Sequence, residues 1–379
     1  MNDAITMNRP LSPAQLEQAL TAKLGELLGQ VAWLEGWSVR HHPGNLVNGF
    51  DFEVRLPLPK NREKKLWVQC KTDPRPSQFP YIDVARESFP SPVLVFAAPY
   101  ISPRMAEVCQ ENSWSWFDLA GNHWLDIPGL LRLQRTGRSP VHKSPRPTAN
   151  LSTPEAGRVV RALLAPANTG MRWTQRHMAE HFGELKKPIP DPSLGLVNKV
   201  VRYLREEAFI EEANGGFQLR DPLKLLFAWR DAYRFARHER RSYFTLLQGK
   251  KLREALANLD SQTGWFALYA SFSAAEFQAP HVRQPKTWLY VRQQEVSKFE
   301  ELVEAKPVDS GENIVVLIPD DDGVFYLADG GVAGDMRMAA TNEVQTYVDL
   351  WHSGGRGHEA AEALLEQRLK PEWKARGMK

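Results

Sequence analysis

The stretch SLGLVNKVVRYLREEAFIEEANGGFQL, residues 193–219, decides how this sequence is read. In helical projection Leu194, Val197, Val201 and Leu204 recur at spacings of three, four and three, forming one apolar stripe. Ser193, Asn198, Lys199 and Arg202 fall mostly away from it, on one exposed face. AFIEE, the turn Asn214-Gly215-Gly216 and FQLR then read as a two-stranded ribbon, because Asn-Gly favours tight hairpin turns. A helix that packs on one side and offers hydrogen-bond donors on the other suits the major groove. There asparagine pairs bidentately with adenine and arginine with guanine. A serine at the helix start can donate to a phosphate where backbone N–H groups also point outward. The alternative is a small helical module that only packs or dimerises.

Working outward, Ser152 and Glu155 have capping-box spacing and Pro154 suits the first turn of a helix PEAGRVVRALLA. Thr174 can cap a second helix, QRHMAEHF, and the loop KKPIPDP precedes the third. Three helices followed by a ribbon is the winged-helix order, with Arg220 near the wing base as a phosphate contact. Before this module, LRLQRTGRSPVHKSPRPTANLS lacks apolar periodicity and reads as a basic linker over 131–150. Its Arg138, Lys143 and Arg146 are candidate phosphate contacts.

The charge is polarised along the chain. Residues 1–130 carry 12 Lys/Arg against 14 Asp/Glu, whereas 131–150 carry five basic residues and no acid. Residues 151–250 carry 17 against 11, and residues 251–379 carry 14 against 20. A basic middle third between acidic ends is the distribution of a chain in which one module meets a polyanion. At 379 residues, two or three domains are expected. The longest apolar run, PVLVFAAPYI, is too short to span a bilayer, and no export signal is visible. Cys70 and Cys109 lack metal-ligand spacing and read as reduced thiols of a cytoplasmic protein.

The flanks read as α/β. The N-terminal pattern is a helix SPAQLEQALTAKLGELL, strands FDFEVRL, KKLWVQCKT and PVLVFAA, a helix SPRMAEVCQEN, and strands WSWFDLA and HWLDI. Asp51 and Lys71 fall on adjacent strands, with Gln69 two residues before the lysine. This resembles nucleases of the PD-(D/E)XK class, whose carboxylates hold Mg²⁺ and whose lysine assists the attacking water. Gln69 departs from that pattern, since a neutral amide is a weak ligand for a hard cation. After the central module come a helix PLKLLFAWRDAYRFA, strands GWFALYA, TWLYVR, NIVVLIP and GVFYLA, and a last helix GHEAAEALLEQRL. Trp229, Tyr233 and Phe235 read as core, PDDDGVFYL as a turn rather than a calcium loop, and neither a phosphate loop nor a nucleophile elbow is present.

Three stretches carry a family resemblance: ISPRMAEVCQENSWSWFDLAGNHWLDIPG, DPLKLLFAWRDAY and EVQTYVDLWHSGGRGHEAAEALLEQRL. From about Ile101 onward the chain resembles the AbiEi-type transcriptional regulators, the antitoxins of type IV toxin–antitoxin systems. The resemblance implies a winged-helix reader of double-stranded DNA that represses its own operon. It also implies a nucleotidyltransferase-like toxin, encoded nearby, that the antitoxin opposes without a stable complex. The expected architecture is multidomain α/β: a nuclease-like, restriction-endonuclease-like domain over 1–130, the linker over 131–150, the winged helix over 151–222 and an AbiEi-like α/β domain over 223–379. The leading expectation is a non-enzymatic, cofactor-free regulator. The alternative is a Mg²⁺-dependent nuclease, targeted by the winged helix, that works through Asp51, Gln69 and Lys71.

Overall fold

In a computed structural model, which describes residues 11–41, 49–59, 62–80, 92–141, 149–185, 189–260, 267–328 and 339–377, the chain divides into two units, Met1–Arg146 and Pro147–Lys379. Lys143 and Arg146 lie outside the described residues.

The first unit begins with helix α1 (Pro13–Gly29). Ser12 caps it, and Gln15 returns the bond to the Ser12 backbone, a reciprocal capping box. Its Leu16, Leu20, Leu24, Leu27 and Leu28 recur at helical spacing and are all buried. Strands β1 (Ser38–His41), β2 (Phe52–Leu58), β3 (Arg62–Cys70) and β4 (Val93–Ala98) follow, then helix α2 (Pro103–Glu111) and strands β5 (Ser115–Asp118), β6 (His123–Ile127) and β7 (Leu131–Arg135). The seven strands lie in sequence order, with β3, β4 and β5 mutually parallel and the outer pairs antiparallel. Val95 and Ala97 pack with the α1 leucines, whereas Phe96 and Ala98 pack with Met105, Val108 and Cys109 of α2. Strand β4 is therefore covered on both faces, which is why its sequence is apolar without alternation.

Residues 131–135, expected in the linker, instead form β7, paired to β6 from Leu131 opposite Ile127 to Arg135 opposite His123. Leu131 and Leu133 supply the period-two signal of an edge strand, which the surrounding arginines obscure.

In the second unit come α3 (Pro154–Leu164), α4 (Gln175–Glu180), α5 (Leu194–Glu206), β8 (Ile210–Ala213) and β9 (Gly216–Leu219). They are followed by α6 (Pro222–Ala232), β10 (Glu239–Phe244), α7 (Gly249–Asp260), β11 (Ala267–Tyr269), α8 (Ser271–Gln278), β12 (Thr287–Val291) and α9 (Val296–Leu302). Then come β13 (Lys306–Pro307), β14 (Ile314–Ile318), α10 (Glu343–His352), α11 (Gly357–Leu364) and α12 (Lys370–Ala375). Strands β10 to β14 make a five-stranded sheet in the order β11-β12-β14-β10-β13, with β12 and β14 parallel.

Segments 151–222 and 223–379 share one hydrophobic core, in which Val160 of α3 and Leu204 of α5 cluster with Trp229, Tyr290 and Tyr347. Polar links cross the same seam. Arg158 of α3 makes a forked ion pair with Asp321, and Arg161 Nε donates to Gln345 Oε1 at 2.5 Å. Asn168 Nδ2 donates to Tyr326 Oη at 2.7 Å.

Two local expectations change. The cap of α3 is Thr153, whose Oγ1 accepts from Ala156 N at 3.3 Å, and the Ser152 N–H that a capping box would give to Glu155 goes to Asn150 Oδ1 instead. The segment GVFYLA is not a strand: Asp321 caps a 3-10 turn at Asp322–Phe325. The helix GHEAAEALLEQRL is present as α11 and runs through a π-helical turn at Leu365–Leu369 into α12.

Candidate nucleic-acid interface

Helix α5 starts at the N-cap Ser193, whose Oγ accepts from Leu196 N at 3.3 Å. The hydroxyl proton stays available to a further acceptor, beside first-turn N–H groups that have no partner inside the helix. The buried face consists of Val197, Val200, Val201 and Leu204. Leu194, expected in that stripe, is 50% exposed, and Val200 takes its place against α3 and α4. Asn198, Lys199 and Arg202 are all exposed. All four α5 candidates thus lie at the helix start or on its exposed side.

Their hydrogen bonds set what each can offer. Asn198 Nδ2 donates to Gln175 Oε1 of α4 at 3.0 Å, which fixes the amide plane and leaves its oxygen and second N–H unused. Arg202 Nε pairs with Glu206 Oε1 at 3.1 Å along the helix. With a side chain 65% exposed, Arg202 keeps its terminal N–H groups outward. Arg205 pairs at 2.6 Å with Glu212 of β8, so it ties the helix end to the ribbon.

The ribbon pairs β8 with β9 from Ile210 opposite Leu219 to Ala213 opposite Gly216. Its turn needs left-handed backbone at Asn214 (φ 36°) and Gly215 (φ 85°). Trp173 adds an isolated antiparallel bridge by exchanging two backbone hydrogen bonds with Phe217, each 2.8 Å. Gly216 permits this approach, because a Cβ there would sit 2.3 Å from Trp173 O. Arg220 is exposed just after β9, with its N–H bonded to Phe209 O. Arg172 and Arg176, beside Trp173 and on α4, are exposed next to this face. They were legible as basic residues flanking the second helix, but sequence reasoning placed no weight on them.

Arg138 is not on a free arm. Its backbone is held at both ends by Asn122, through N to Oδ1 at 2.7 Å and O to Nδ2 at 3.0 Å. Asn122 is in turn fixed by Asp118, so Arg138 belongs to the first unit.

In that unit the expected trio converges. Asp51 N donates to Val68 O, and Asp51 Oδ2 accepts from Cys70 N at 2.6 Å, beside Gln69 and Lys71. Burial raises the Asp51 pKa, and Glu17 of α1 adds to the rise by facing it, while Lys71 opposes it. Glu17 itself bonds His41 Nδ1 at 2.6 Å. Gln69 is buried, with Nε2 donating to Gly49 O and Oε1 without a partner. This donor set does not fit Mg²⁺: a neutral amide stands where a second carboxylate is needed, and Glu17 is engaged by a histidine. Among the described residues no group of three His, Cys, Asp or Glu side chains is placed to hold a metal.

Residues 218–370 match the family described as transcriptional regulator, AbiEi antitoxin, type IV TA system. The match takes in two of the three stretches that carry the AbiEi resemblance, DPLKLLFAWRDAY and EVQTYVDLWHSGGRGHEAAEALLEQRL, while ISPRMAEVCQENSWSWFDLAGNHWLDIPG lies outside it, and it supports a regulator or antitoxin role. No curated protein and no solved structure matches the chain. Among the described residues no helix is long and apolar enough to cross a membrane.

Proposed function

We propose that this chain, an AbiEi-type protein by its residues 218–370, is a cytoplasmic, sequence-specific regulator that binds double-stranded DNA and represses its own operon without catalysis. The observation that carries the reading is the division of α5: four apolar side chains buried, with Asn198, Lys199 and Arg202 outward and a ribbon directly behind. In this reading the segment 151–222 is a winged helix and α5 is its recognition helix.

The geometry gives each residue a role. Asn198, held by Gln175, presents one acceptor and one donor side by side, the pattern that reads adenine N6 and N7. Arg202 offers its terminal fork to guanine O6 and N7, or to phosphate, once Glu206 yields. Lys199 acts as a point charge on the backbone, and Ser193 with the first-turn N–H groups receives a phosphate. Arg220 meets phosphate from the wing base.

The test is an electrophoretic shift with the DNA upstream of the protein's own gene, against an unrelated duplex of equal length. Specific binding should exceed non-specific binding by at least about 10³ at fixed salt; equal binding to both duplexes would contradict the reading. An antitoxin role is tested separately, by co-expression with an adjacent nucleotidyltransferase-like gene. Growth should be rescued although the two products do not co-purify.

A further inference from the structure

Leu194, the first residue of α5, is the one large apolar side chain exposed on that helix among the described residues, at 50%. Leu196, two residues on, packs against the core instead. Residues four apart lie one above the other on a helix, so Leu194 stands next to Asn198, and Asn198 next to Arg202. The outward row of α5 therefore reads leucine, asparagine, arginine from its capped end.

Two features present Leu194 firmly and close to whatever α5 meets. Ser193 Oγ accepts from Leu196 N at 3.3 Å and Ser193 O accepts from Val197 N at 2.9 Å, which fixes the turn that carries Leu194. The next residue is Gly195, where an added Cβ would meet nothing within 4 Å. Its backbone is not left-handed, so neither packing nor conformation requires a glycine there, and glycine weakens a helix relative to alanine. What it supplies is clearance: the backbone beside Leu194 and Asn198 can approach a ligand closely.

An apolar side chain among hydrogen-bonding neighbours has little to offer most of the major-groove floor. Base edges there present donors and acceptors, and the exception is the C5 methyl group of thymine. Burying that methyl group against a leucine is favourable, whereas a leucine set against an N–H or C=O strips that group of its water. The side chain thus selects for a methyl group and against polar edges.

We infer that Leu194 is a specificity-determining residue of α5 that reads the methyl group of a thymine. Its spacing from Asn198 says where. The two residues are about 6 Å apart along the helix, and successive bases are about 3.4 Å apart. The thymine therefore lies roughly one or two base pairs from the adenine that Asn198 reads, towards the start of α5. This assignment rests on the proposal that α5 enters the major groove of DNA.

The experiment uses the full chain and the duplex upstream of its own gene. Each thymine of the bound site is replaced in turn by deoxyuridine, which removes the methyl group and leaves base pairing unchanged. For the wild type, one position should lose about fourfold in affinity, the transfer value of one methyl group. Leu194→Ala removes the side chain beyond Cβ, and because Leu194 is exposed its urea midpoint should match the wild type. This variant should bind the thymine duplex at least about fourfold more weakly and no longer tell thymine from deoxyuridine at that position. It should keep its preference for adenine at the position read by Asn198, whereas Asn198→Ala should lose that preference and keep the one for thymine. No thymine whose methyl group matters to the wild type, or a methyl preference undiminished in Leu194→Ala, would overturn the assignment and leave the DNA reading intact. Equal binding to the upstream and an unrelated duplex would instead remove the DNA reading, and this assignment with it.

Discussion

Replacing Asp349 by asparagine should uncover a rise of stability with pH that the wild type lacks. Asp349 of α10 is fully buried, and its Oδ1 accepts from Gln345 Nε2 at 2.7 Å, Tyr290 Oη at 3.0 Å and Tyr233 Oη at 3.1 Å. Burial pushes its pKa from 3.8 up to about 7, against the pull of those donors and of Arg161. The folded state therefore keeps a proton that the unfolded chain has lost. The resulting stabilisation is complete below pH 4 and disappears as pH rises through 7. Three units at about 1.4 kcal/mol each make roughly 4 kcal/mol lost between pH 4 and pH 8.

His238, joined to Asp349 through Tyr233, has the opposite sign. Burial and the charge of Arg161 lower its pKa from 6.5 to about 4. Its contribution is present above pH 6.5 and lost on acidification towards 4. In the native chain the two slopes offset one another over that window. Asp349→Asn keeps the shape and the Oδ1 acceptor but cannot ionise, and its amide N–H takes the place of the unpartnered Oδ2, at a cost of about 1–3 kcal/mol. Urea unfolding of both proteins at pH 5 and pH 8 measures the difference. The variant should be the less stable at pH 5 and gain on the wild type by about 3 kcal/mol by pH 8. A constant difference between the two pH values would refute a buried, neutral Asp349.

Other outcomes follow from particular contacts. Arg158→Ala and Asp321→Asn should each destabilise by about 3 kcal/mol, because each leaves a nearly buried charge without its forked partner, and a double-mutant cycle should show strong coupling. Gly216→Ala should cost more than about 1 kcal/mol and loosen the Trp173 bridge, seen as faster amide exchange at Phe217, since its Cβ has no room beside Trp173 O. Supercoiled plasmid incubated with Mg²⁺ or Mn²⁺ should be nicked no faster by the wild type than by Lys71→Ala; clear nicking by the wild type alone would restore the nuclease alternative.

What was legible in the sequence depended on how local the cause is. The caps Ser12, Ser102, Thr174 and Ser193 act within three residues, so the helix starts could be read from them. The cap at Thr153 and the Asn150 bond to the Ser152 N–H are two details at the start of α3 that spacing alone does not show. The apolar helix face was read to within one residue, with Val200 buried in place of Leu194. Strand β10, ERRSYF, was missed because its first four residues are charged or, in Ser242, small and polar, and it is held by pairing to β14 some 75 residues away. The polar network of Arg161, Tyr233, Gln345 and Asp349 was invisible for the same reason. Its members lie as much as 188 positions apart and meet only when α3, α6 and α10 pack. In the site, helical spacing placed Asn198, Lys199 and Arg202 together, but not the bonds to Gln175 and Glu206 that orient two of them.

The most direct measurement is the salt dependence of binding to the upstream duplex, for the wild type and for Lys199→Ala combined with Arg202→Ala. Each lost phosphate contact removes about 0.9 from the slope of log K against log salt. The double variant should bind more weakly with a slope smaller in magnitude by about 2, or by about 1 if Arg202 reads a base. Unchanged affinity and unchanged slope would show that α5 is not the DNA-reading helix.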